Sequence, residues 1–85
     1  MVTLEITIPV ASEWPTREEL TARNAVENAL NAVGLGIISG AGGGMGNMDL
    51  AYRLDDEAKV PAARAAIDQA MKQHMARFQY RVTVH

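Results

Sequence analysis

Few residues in this chain are of the types that do covalent or metal chemistry. There is no cysteine, which excludes thiol nucleophiles, disulfides and thiolate metal sites. The histidines are His74 and His85. Neither stands at a metal-ligand spacing from the other or from Asp49, and both read as packing or surface residues. Ser12 and Ser39 have no histidine with an orienting carboxylate beside them in sequence. The run Asp55-Asp56-Glu57 has the charge for a cation site, but negative charge before a helix explains it more simply. No catalytic residue, metal site or cofactor is therefore expected, and the chain reads as a binder, not an enzyme.

Two further features invite a ligand reading. The stretch Gly40-Ala41-Gly42-Gly43-Gly44-Met45-Gly46 holds five of the seven glycines, and successive backbone N–H groups in such a stretch can cradle an anion. It lacks the Lys-Ser/Thr ending of a phosphate loop, and Met45 stands where a dinucleotide fingerprint needs its third glycine. It also leads into a strand, so no helix dipole would assist a phosphate. A flexible hairpin loop is the simpler expectation. Trp14 precedes a helix start; it reads first as a packing residue, and if exposed it becomes an interface anchor.

These residues are carried on 85 residues, enough for one domain over positions 1–85 with a single core. Eight basic against ten acidic side chains give a net charge of −2. Nucleic-acid binders gain most of their affinity by neutralising phosphates, so a nucleic-acid partner is disfavoured and a neutral or basic partner preferred. The start, Met1-Val2-Thr3-Leu4-Glu5, lacks a basic n-region and an apolar run. No stretch approaches the ~20 apolar residues that cross a bilayer. No membrane association and a cytoplasmic location are the expectations.

The elements follow from periodicity. Val2, Leu4, Ile6, Ile8 and Val10 alternate with polar residues, a strand with one buried face. Thr16-Arg17-Glu18-Glu19 fits a capping box, and an apolar stripe of Leu20, Val26, Ala29, Leu30 and Val33 follows, ended by Gly34. Arg23 falls toward the opposite side of that helix. Leu35 to Ser39 reads as a second strand, the glycines as a loop, and Met48 to Leu54 as a third strand. A second helix begins near Val60 with Pro61 at its first turn. Its stripe is Val60, Ala63, Ile67, Ala70, Met71 and Met75. Phe78, Tyr80, Val82 and Val84 alternate as a closing strand.

The order βαββαβ predicts an α+β ferredoxin-like sandwich: a four-stranded antiparallel sheet with two helices on one face. Right-handed crossovers put the first and third strands at its centre. Even-numbered strand residues should then face the helices. The open face carries Thr3, Glu5, Thr7, Asp49, Ala51, Arg53, Gln79, Arg81, Thr83 and His85, with cross-strand pairs such as Glu5 with Arg81. It has no aromatic ring, whereas RNA-binding sheets of this topology stack bases on theirs.

In size, topology and composition, with its segment Gly42-Gly43-Gly44-Met45-Gly46-Asn47-Met48-Asp49-Leu50, the chain resembles the small immunity proteins paired with bacterial polymorphic and type VI-secreted toxins. That resemblance implies a protein partner, the cognate toxin, whose active site is occluded. The residues available for such contacts are Trp14, Met45, Asp49, Arg53, Asp55, Asp56 and Arg81. Two alternatives share the topology. One is a small-molecule-binding regulatory domain similar to the ACT type, although its ligand loops follow the first strand. The other is a small dimeric enzyme, whose pocket would need polar groups pointing into a core that here reads as aliphatic and aromatic. The sequence leaves monomer and homodimer both open.

Overall fold

A computed structural model describes residues 2–85. Its elements are β1 (Val2–Pro9), α1 (Arg17–Val33), β2 (Ile37–Gly44), β3 (Asn47–Leu54), a 3₁₀ turn (Glu57–Lys59), α2 (Val60–His74) and β4 (Arg81–Val84). One four-stranded antiparallel sheet runs in the order β2-β3-β1-β4. This is the α+β ferredoxin-like sandwich, with β1 and β3 central. Alternation decides the faces: Val2, Leu4, Ile6, Ile8, Met48, Leu50, Tyr52 and Leu54 are all buried. They form one core with Val26 and Leu30 of α1 and with Ala63, Ile67, Ala70 and Met71 of α2.

Local chemistry sets the helix ends. Thr16 Oγ1 accepts from the Glu19 N–H at 3.1 Å, and Glu19 Oε1 accepts from the Thr16 N–H at 2.7 Å. Gly34 closes α1 in the left-handed region, at φ 78°. In the last turn of α1, where carbonyls run out of helical donors, the buried Tyr52 hydroxyl donates to the Leu30 carbonyl at 3.0 Å. Burial raises the Tyr52 pKa above its ordinary value. Asp56 caps the 3₁₀ turn through the Ala58 N–H at 2.9 Å.

The glycine run is a strand and not the flexible loop its composition suggests. Gly40 to Gly44 pair in register with Ala51 to Asn47 of β3, after an irregularity between Ile38 and Gly40. Glycine keeps a full pair of ladder groups, and the neighbouring strand uses them. Strand β2 accordingly starts at Ile37 instead of Leu35 and runs five residues past Ser39. Only Met45 and Gly46 turn, both at positive φ (54° and 82°), as a two-residue hairpin that matches strand twist requires.

The closing strand is shorter than its alternation suggests. Thr3 and His85 exchange both backbone bonds, so odd-numbered residues of β1 turn their main-chain groups toward β4. Pro9 is the next odd residue beyond Thr7, and it has no N–H to offer Gln79. The Phe78 N–H instead returns to the Met75 carbonyl at 3.0 Å. Phe78 and Tyr80 still pack against the core, and the Tyr80 hydroxyl donates to the Asp68 carboxylate on α2. Val84, on a short edge strand, is exposed, as is Val33 at the end of α1.

Candidate functional site

The open face of the sheet is mostly polar, with the exposed Ile37 opposite Arg53 as an apolar exception. Thr3 stands opposite Arg53, Glu5 opposite Ala51 and Thr83, and Thr7 opposite Asp49 and Arg81. Glu5 and Arg81 are therefore out of register, and the expected ion pair between them is not formed. Among the described residues the one ion pair joins Lys59 Nζ and Asp55 Oδ1 at 2.9 Å. The Lys59 hydrogen bond and charge hold the Asp55 carboxyl below its ordinary pKa, and Asp55 raises that of Lys59 in return. His74 and His85 are both exposed.

The structure divides the seven candidate contact residues between two ends. Trp14 and Met45 lie on adjoining segments at the β2–β3 hairpin. The Gly46 N–H donates to the Glu13 carbonyl at 3.0 Å, and the Val10 N–H to the Gly46 carbonyl at 2.8 Å. These bonds fasten the segment from Val10 to Thr16 along the turn. Asp49 lies on the open face in the same register row as Thr7 and Arg81. Arg53 sits near the far end of β3, about 13 Å from Asp49 at the usual strand rise, and Asp55 and Asp56 follow just past that end. There Asp55 is engaged by Lys59, and Asp56 caps the following turn.

The hairpin end is the more unusual of the two. Trp14 is 67% exposed and Met45 is 88% exposed. The Trp14 ring lies close against the end of β2. A Cβ on Gly44 would come within 2.8 Å of the indole, and one on Gly43 within 2.9 Å of Pro15. The glycines thus let a tryptophan-proline segment lie directly on the edge strand. Beside it Trp14, Pro15, Leu20, Arg23, Gly42 and Gly43 line a groove of about 250 Å³.

Arg23 departs from its expected solvent-facing position. Its Nη1 donates to the Gly42 carbonyl at 2.5 Å, bridging α1 to β2. Helical periodicity placed it opposite the apolar stripe, and nothing in the glycine run advertised the carbonyl it reaches. One signal was available: Leu20 and Arg23 are three residues apart, hence neighbours on the helix surface. Asn31 acts similarly at the other end of the strand, its side-chain carbonyl accepting from the Ile38 N–H at 3.2 Å.

No protein-family model matches this chain, and no curated protein matches it either. The functional reading therefore rests on the residues themselves.

Proposed function

We propose that this chain is a protein-binding module of the immunity type, which neutralises a partner protein by covering its active site with the hairpin end. The observation that carries this reading is the exposure of Trp14 and Met45 on adjoining segments. A large exposed aromatic beside an exposed methionine is costly to leave in water and is typical of binding anchors. Met45 also occupies a left-handed backbone position that asparagine or glycine would fill at less cost, and at 88% exposure it recovers little by packing. Residues kept under local strain cluster at functional sites. The adjoining sheet face, mostly polar and without aromatic rings, supplies a rim that fixes register and on-rate.

The test is co-expression with the product of the neighbouring gene. A stable complex that silences the partner's activity is the expected outcome. Trp14→Ala and Met45→Asn should each weaken that complex about tenfold or more, the range of interface anchors. No association at micromolar concentrations would remove the proposal.

A second reading is favoured by the character of β2. It is an edge strand of eight residues with no charge and no proline, the type of edge that pairs with another strand. Two copies meeting there would join their sheets around a two-fold axis. Sedimentation separates the readings: a dimer abolished by Ala41→Lys supports self-pairing, and a monomer at high concentration removes it.

A further inference from the structure

We propose that the groove between Trp14 and Arg23 is a carboxylate site that receives an Asp or Glu side chain of the protein partner. Arg23 is the one arginine of six that is not exposed. A guanidinium keeps its charge at all ordinary pH values, yet among the described residues no carboxylate oxygen lies within 4.0 Å of it. Its Nε is buried and has no hydrogen-bond partner. A half-buried cation with an unanswered donor is an uncommon arrangement, because buried polar groups normally find partners. The bond from Nη1 to Gly42 fixes the group in place, so little side-chain entropy is left to lose when an acceptor arrives.

The groove has room for that acceptor. It measures about 250 Å³ and is bounded on one side by the guanidinium. Its other walls are the Trp14 ring, Pro15 and Leu20. An apolar wall beside a cation suits an acid with an aliphatic stem, the methylenes lying on the indole and the carboxylate taking the Nη donors, since Nε is sealed from solvent. The exposed surface continues past the groove to Met45, which points to a macromolecular ligand instead of a free acid. Net charge acts at long range and favours a neutral or basic partner, whereas Arg23 selects one acidic group at contact distance. This inference deepens the interface reading and depends on it for the nature of the ligand.

Trp14 is the only tryptophan in the chain, so its fluorescence reports directly on the groove. The probes are a capped peptide, acetyl-Gly-Leu-Glu-Gly-amide, its glutamine counterpart, sodium acetate and inorganic phosphate, each titrated into the intact protein. A saturable change with the glutamate peptide is expected, about tenfold or more weaker for the glutamine peptide and for the Arg23→Gln protein. Arg23→Lys, which keeps the charge but loses the planar fork, should fall between. Should Arg23→Gln not fold, the wild-type Arg23 Nε–H resonance decides: it must shift with the glutamate peptide and not with the glutamine one. Equal responses to both peptides, or no saturable response, overturn the proposal. Phosphate binding more tightly than the glutamate peptide overturns the carboxylate assignment, and acetate binding equally tightly overturns the protein source. A partner complex that forms while every peptide fails sinks this site alone; a partner whose footprint avoids Trp14 sinks the interface reading.

Discussion

Met45 and the glycines around it show how single positions trade stability against surface. Met45 sits at φ 54°, a conformation that costs an ordinary L-residue about 1 kcal/mol or more. Met45→Asn should therefore stabilise the domain by roughly 0.5–1 kcal/mol in urea unfolding while weakening the partner complex. Gain on one measurement with loss on the other is the signature of a residue kept for contact. The glycines of β2 divide in the same way. Gly44 combines φ 131° with a ring across its missing side chain, so Gly44→Ala should cost about 1–3 kcal/mol. Gly42 has an ordinary φ and open space, and Gly42→Ala should be neutral or slightly stabilising. Equal effects at the two sites would remove the close-approach explanation.

The elements are held by a few identifiable devices. In α1 the reciprocal capping box satisfies two donors at once, and Thr16→Ala should lower stability by about 1 kcal/mol. Strand β4, stopped by Pro9, is short, and its approach is tied to α2 by the bond from Tyr80 to Asp68. Burial, aided by that carboxylate, pushes the Tyr80 phenol up to about 12. An unfolded tyrosine ionises near ~10, so the native state holds its proton where the unfolded state has released it. The contribution is intact below ~10 and drains as pH rises from there through about 12. Tyr52, raised in the same direction, adds the same sign. Stability measured between these values should fall less steeply in Tyr80→Phe than in wild type; an unchanged slope would contradict the assignment.

Across the molecule, the candidate contacts do not form one patch. Trp14 and Met45 gather at the hairpin, while Asp49 and Arg81 share a register row across the open face. Arg53, Asp55 and Asp56 mark the opposite end of β3, where the acids serve Lys59 and the 3₁₀ turn. The proposed interface predicts an asymmetry. Arg53→Ala should leave partner binding within about twofold, while Trp14→Ala lowers it about tenfold or more. The reverse order in a binding titration would move the interface to the other end. No helix among the described residues is long and apolar enough to cross a membrane.

Period and capping were legible without coordinates because they are written in neighbouring residues. The two-residue alternation of β1 and β3 fixed which side chains are buried, Tyr52 among them, and Thr16, Glu19 and Gly34 marked both ends of α1. The order of elements then left few topologies that bury both helices on one sheet. What the chain did not disclose depended on partners distant in sequence. The glycines of β2 looked like a loop because their local preference is weak, and the β3 backbone imposed the strand on them. Likewise β4 was cut short by a proline on another strand, and Arg23 left its expected face for a carbonyl 19 residues away. Side-chain periodicity is a local property, whereas main-chain ladders and charge contacts are closed only when the layers meet.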